Sequence, residues 1–240
     1  MTTRPGLLLA AALALAACSP AEDPAAQAAA QAAASEQAAE EAAKQFEAEF
    51  AKQNWGLARA HGDVLMAKYA DTKAAARIKP QYEEAKANAD AEREKRRLTG
   101  LWTYQTEAVP GGKQLSAAIY AKEPVDTGGS GAQPVRLIFR DHPEWGDSSY
   151  LTLEGGDFNC YGGCRVKVTL DEGKPRSMAA SRPDTDEAIA MFIEDEKALW
   201  KMAQQAEKTL AVEFPVKAGG TRTAVFEVGE LQPDKLPGWN

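Results

Sequence analysis

The chain is 240 residues long, 44% hydrophobic, with a formal net charge of −7 at pH 7. Alanine fills 47 of the hydrophobic positions, and Leu, Ile, Val and Phe together fill only 40, too few large side chains to pack one core through the full length. The acidic balance excludes nucleic-acid binding by bulk charge, no polybasic block is present to grip an anionic membrane, and two histidines with three cysteines leave no donor set for a metal.

Residues 1–17 carry one positive charge at Arg4, an apolar run from Leu7 to Ala17 and small residues at its end, the pattern of an export signal. The run is 11 residues long, short of the roughly 20 that span a bilayer. Leu15-Ala16-Ala17-Cys18 resembles the lipobox of bacterial lipoproteins. The resemblance implies a diacylglyceryl group on the Cys18 sulfur, cleavage before it and acylation of the freed amine. The chain would then be held to the membrane by several acyl chains, each methylene contributing about 0.8 kcal/mol. Ser19 stands where lipoproteins retained in the inner membrane of Gram-negative bacteria commonly carry Asp, which implies the periplasmic leaflet of the outer membrane.

Residues 18–35 are mostly Ala, Gln and Pro and read as a lipidated tether, flexible near Pro20 and Pro24 and open to helix in its Ala/Gln part. From 36 to 98 the chain is rich in Ala, Glu, Lys and Arg, with 12 acidic and 12 basic residues between Glu36 and Arg97, which predicts helix. Phe46, Phe50, Leu57, Val64, Leu65 and Tyr69 form a thin apolar stripe, interrupted around Asn54-Trp55-Gly56 and His61-Gly62. Tyr69-Ala-Asp71-Thr72 places a helix end near Tyr69 and a new start at Lys73, capped by Asp71 or Thr72, with a bend near Pro80. The run Val64–Thr72 followed by Ala74-Ala75-Ala76 resembles the junction of a tetratricopeptide-like unit. Only one such unit is visible, so the expectation is a helical hairpin, with one extended charged spacer or coiled coil as the alternative.

At Thr99-Gly100 the composition changes. Period-two runs begin at Leu101, Leu115, Val135, Ser149, Arg165, Leu210 and Thr223, each bounded by Gly, Pro, Asp or Asn, and predict an antiparallel β domain over 99–240. Residues 195–208 have helical spacing at Leu199, Met202 and Ala203/Ala206, following a short strand at Ala190–Ile193. The expected class is α+β: a signal, a helical stalk or hairpin, then a β-sandwich or curled sheet with one packed helix. Gly156-Asp-Phe158-Asn-Cys160, Cys164-Arg-Val166-Lys-Val168 and Phe192-Ile193-Glu-Asp195 resemble a domain of uncharacterised proteobacterial envelope proteins, which implies a fold and a location but no activity.

Cys160 and Cys164, joined by Tyr161-Gly162-Gly163, read as a disulfide across a tight hairpin in an oxidising compartment. Val125-Asp126-Thr127-Gly128-Gly129-Ser130 resembles the Asp-Thr-Gly loop of retroviral-type aspartic proteases. It lacks the apolar strand that leads into the Asp there, and reads as a Gly/Ser-rich connection. Asp141/Glu144 and Glu194/Asp195/Glu196 are carboxylate groups available for glycosidase-like acid/base work, the second reading as the solvated start of a helix, and His142 reads as a surface loop histidine. Trp102, Tyr104, Trp145 and Tyr150 are candidate lining for a ligand or peptidoglycan surface.

The function these features imply is non-enzymatic binding or scaffolding by an outer-membrane lipoprotein facing the periplasm, without a cofactor. Its partners would be the membrane, through Cys18, and an envelope protein or peptidoglycan. An inhibitor or immunity-type lipoprotein acting on an envelope hydrolase is the alternative, and a hydrolase the second. Residues 99–240 hold 21 acidic and 15 basic groups, so charge-based recognition is expected there.

Overall fold

The computed structural model describes residues 23–128, 131–183 and 189–239. The signal 1–17, Cys18 and Gly129-Ser130 lie outside the described residues. The chain divides inside its third helix into two compact units, one carrying the described residues up to Ala89 and the other those from Asp90 onward. Among the described residues no helix is long and apolar enough to cross a membrane.

The first unit starts where Asp23 accepts the Ala25 N–H at 3.0 Å and Pro24 occupies the first helical turn, in which an N–H has no partner to lose. Helix α1 (Pro24–Ala51) therefore runs through the Ala/Gln stretch. It stops before Gln53, whose φ of 57° is left-handed, and α2 (Trp55–Lys68) begins at the interruption seen in the apolar stripe. Thr72 then caps α3 (Lys73–Thr99) as its sequence predicts, with Ala75 N–H donating to its Oγ1 at 3.2 Å. Pro80 lies inside that helix.

Two further amides at the start of α3 are satisfied from α1. Lys73 N–H and Ala74 N–H donate to the Glu36 carboxylate at 3.0 and 3.1 Å, placing an anion at a helix N-terminus. Arg77 forks onto Glu40 at 2.9 and 3.1 Å and also reaches Glu47. Between these polar ties sits a small core of Phe46, Leu65, Ile78 and six alanines. Gly62 belongs to this packing, because a Cβ there would overlap the Tyr82 ring. That ring is held in place by its hydroxyl, which donates to Asp63 Oδ1 at 2.6 Å. The same bond, aided by burial, pushes the Tyr82 phenol up to about 12.

In the second unit the strands are β1 (Trp102–Val109), β2 (Gly112–Tyr120), β3 (Val125–Asp126), β4 (Ala132–Gln133), β5 (Val135–His142), β6 (Gly146–Leu153), β7 (Cys164–Leu170), β8 (Arg176–Ser181), β9 (Ala190–Ile193), β10 (Leu210–Pro215) and β11 (Thr221–Phe226). Nine form one antiparallel sheet in the order β1-β2-β5-β6-β9-β8-β7-β10-β11, and β3 pairs with β4. Sequence reasoning missed β8. Its residues Arg-Ser-Met-Ala-Ala-Ser include no β-branched or aromatic side chain, and they become a strand by filling the place between β7 and β9.

The sheet curls on itself instead of splitting into two facing sheets. Leaving β2, Lys122 N–H donates to Val225 O of β11 at 2.7 Å, and Trp102 Nε1–H on β1 donates to Gly229 O just beyond β11 at 3.3 Å. The concave side is filled by alternate residues, among them Ile119, Leu137, Phe139, Leu151, Val168, Met191, Val212 and Phe226. Helix α4 (Glu196–Gln205) contributes Leu199, Trp200 and Ala203 to the same core. The approach to β10 is fixed by Asp171, whose carboxylate accepts the N–H groups of Glu207, Lys208 and Thr209 at 3.0, 2.8 and 2.8 Å.

Cys160 and Cys164 form a disulfide with their Cα atoms 4.9 Å apart. They do not sit on the facing arms of a hairpin, however. The arm before Cys160 pairs with the end of β10, through Phe158 opposite Val216 and Asn159 N–H donating to Pro215 O at 3.1 Å. The bond therefore clips that connection to the start of β7. The physical reason is that β8 already occupies the edge of β7 that a hairpin arm would need.

Two stability measurements test this description. In a Gly62→Ala variant, the ring overlap is expected to outweigh the gain in helix propensity of roughly 1 kcal/mol and lower the midpoint of thermal unfolding. In a Tyr82→Ala background the same substitution should raise it. Thr209, Glu207 and Lys208 N–H groups hold the Asp171 carboxyl below the usual aspartate range. Its folded pKa is thus lower than its unfolded one, so its stabilisation is present above the usual range and is lost as pH falls through the folded value. Asp171→Asn should cost about 1 kcal/mol in urea titrations at pH 7, a value reduced by partial exposure, and the difference should close in acid.

Candidate functional site

Period-two alternation sends one set of side chains from β2, β5, β6 and β9 outward. The registers place Tyr120, Arg136 and Thr152 side by side in one row. The next row holds Ala118, Ile138, Tyr150 and Phe192, and the one after it Ser116, Arg140 and Ser148. Ala118 and Ile138 are buried although they lie outside the main core, so the outer face has its own covered centre.

Aromatic rings and guanidinium groups interleave over that centre. Arg136 lies over the Tyr120 ring at 5.3 Å, and Arg140 is 5.4 Å from the Tyr150 ring and 5.5 Å from that of Trp145. Tyr150 in turn packs on Phe192 at 5.2 Å. Arg140 Nε donates to Ser148 Oγ at 3.1 Å, whereas Arg136 Nε is buried without a hydrogen-bond partner. Neither arginine has a carboxylate partner among the described residues. Burial raises the Tyr150 phenol, opposed by the charges of Arg140 and Arg136, and Glu107 is the acid whose charge is felt there.

Trp145 is 66% exposed and Tyr120 49% exposed. Trp145 is nonetheless held: its ring stacks on His142 with centroids 4.0 Å apart and planes 11° apart. His142 is not the surface loop residue expected from its neighbours. It is 5% exposed, and its Nδ1 accepts the N–H groups of Glu144 and Trp145 at 3.1 and 3.2 Å, closing the β5–β6 turn.

A cleft of about 460 Å³ opens beside Tyr120, lined also by Arg97, Leu101, Thr103, Lys122 and Glu227. Its cations are already neutralised, since Glu227 pairs with Arg97 at 2.9 Å and Lys122 at 3.6 Å. The Arg97 hydrogen bond accordingly holds the Glu227 carboxyl below its usual range. Arg136 and Arg140 on the sheet face, by contrast, have no such acidic partner among the described residues.

The four aromatic candidates thus separate into two pairs. Trp145 and Tyr150 belong to the outer face. Trp102 is 6% exposed and Tyr104 packs against the core, with the Tyr104 hydroxyl accepting Gln232 N–H at 2.8 Å, so neither shares a surface with the other pair. Sequence reasoning missed Arg136, Arg140, Tyr120 and Phe192. The alternation in Val135-Arg-Leu-Ile-Phe-Arg140 signals that its arginines share a face, but their aromatic neighbours come from strands whose registers the sequence does not state.

The remaining candidates do not converge. Asp126 is exposed and its Oδ1 accepts Gly128 N–H at 3.0 Å, while Thr127 Oγ1–H donates to Gly155 O. A Cβ at Gly156 would overlap Thr127 O, so Asp126-Thr127-Gly128 is a packed corner. Asp141 lies at the end of β5 against Gly238, and Glu144 is exposed in the turn. Among the described residues no group of three or more His, Cys, Asp or Glu side chains is placed to hold a metal. No family model, curated protein or solved structure matches the chain.

The separation of the aromatics predicts unequal stability costs. Trp102→Ala removes a core side chain and should cost about 3–5 kcal/mol in urea unfolding, whereas Trp145→Ala should cost within about 0.5 kcal/mol of nothing.

Proposed function

We propose that the chain is a lipid-anchored protein of the outer membrane, facing the periplasm, whose β unit performs non-enzymatic binding through the outer face of its curled sheet. The single observation carrying the binding role is a pair of arginines on one strand, without carboxylate partners among the described residues, set beside exposed rings on a domain of net negative charge. A folded protein gains little by keeping such groups uncovered for stability alone. The anchoring rests on Leu15-Ala16-Ala17-Cys18 and on Ser19. Asp126, Asp141 and Glu144 do not meet, so the hydrolase alternative draws no support from them. An inhibitor of an envelope hydrolase would use the same exposed rings, Tyr120 and Trp145.

Anchoring is tested in a Gram-negative host fed a labelled fatty acid. The wild-type chain should take up label and fractionate with the outer membrane, and Cys18→Ala should do neither. Equal membrane fractionation of Cys18→Ala would remove the lipid anchor from the proposal.

A further inference from the structure

We infer that the arginine–aromatic face of the curled sheet binds a carboxylate-bearing glycan strand, an inference that rests on the binding role proposed above. The charge comes first. Arg136 and Arg140 are four residues apart on β5, roughly 13 Å along the strand, and each guanidinium presents a planar fork that matches a carboxylate. Two such forks at that separation suit successive charges on a polymer better than one small anion.

The rings set the second condition. Trp145 and Tyr120 flank the arginines, and both keep about half or more of their surface exposed. Trp145 is immobilised by His142, so ordering it on binding costs little further entropy. Ring faces beside hydroxyls are suited to the mixed C–H and O–H surface of a sugar, and Ser116, Ser148 and Thr152 supply hydroxyls between the rings.

The third condition separates a glycan from a protein. Protein interfaces have a dry apolar centre. Here the aliphatic residues at the centre, Ala118 and Ile138, are already covered, so the apolar surface left exposed is confined to separate rings at the edges. For a chain facing the periplasm, peptidoglycan has the required chemistry: sugar rings carrying peptide carboxylates.

The test is co-sedimentation of the full chain, purified in mild detergent, with purified peptidoglycan sacculi, native or with their carboxylates amidated. Binding should weaken with added salt, fall about tenfold for each arginine removed in Arg136→Gln/Arg140→Gln, and fall likewise on amidated sacculi. Trp145→Ala, at an exposed site, should also weaken it, and urea midpoints establish that the variants are folded. Failure of the wild-type chain to sediment, or equal sedimentation with amidated sacculi, overturns the glycan assignment. A photo-crosslinker at position 120 in cells separates the two levels. Without sacculus binding, a reproducible protein crosslink there overturns the glycan but keeps the binding face, and no crosslink at all removes both.

Discussion

Phe139 is the point on which the second unit is built. Its ring meets Trp200 of α4 edge-on at 4.9 Å and Trp239 near the C-terminus at 5.5 Å, with Trp102 of β1 at 6.4 Å. Four pieces of chain distant in sequence are joined there, and large aromatic rings bury more area per residue than any other side chains. Because a strand alternates, seating Phe139 and Leu137 inside forces Arg136, Ile138 and Arg140 outside. A one-residue slip of β5 would put guanidinium groups in the core and phenyl in water. The core thereby sets the register of the outer face, and the chemistry outside follows from the packing inside.

The first unit reaches cohesion with different material. Its core contains few large side chains, and alanine predominates because it lets helix backbones come close. Gly62 takes that approach to its limit beneath the Tyr82 ring. Glu36 then serves as a cap for a helix 37 residues away, and Arg77 bridges two carboxylates on α1. These exposed ion pairs each contribute little, but they select how neighbouring helices are aligned where side-chain packing is too smooth to do so.

Much of the β unit was legible from alternation bounded by turn residues, since that pattern states both the element and its buried face. β8 was not, because a strand of Ser and Ala has no signal of its own and exists through its two neighbours. The surroundings of His142 were equally hidden. Its flanking Asp and Pro suggest a loop tip, while the imidazole is drawn in to close a turn and support Trp145. The disulfide partners were legible from their spacing, but the hairpin expected around them does not form, since spacing reports reach and not which edge is free. Of the outer face, residue type singled out Trp145 and Tyr150; it also singled out Trp102 and Tyr104, which the register of β1 with β2 turns inward.

By itself, the sequence determined the elements that local chemistry can specify: the helix starts at caps such as Thr72, the period-two strands, and the α-then-β order of the chain. It also placed the acidic excess in the second unit. Tertiary structure alone decided that the strands form one curled sheet, that Glu36 reaches the start of α3, and that two arginines on one strand lie among rings from β2, β6 and the turn after β5. The reason is physical. Propensity, capping and periodicity act within a few residues, whereas pairing register depends on how side chains far apart in the chain fill a common volume.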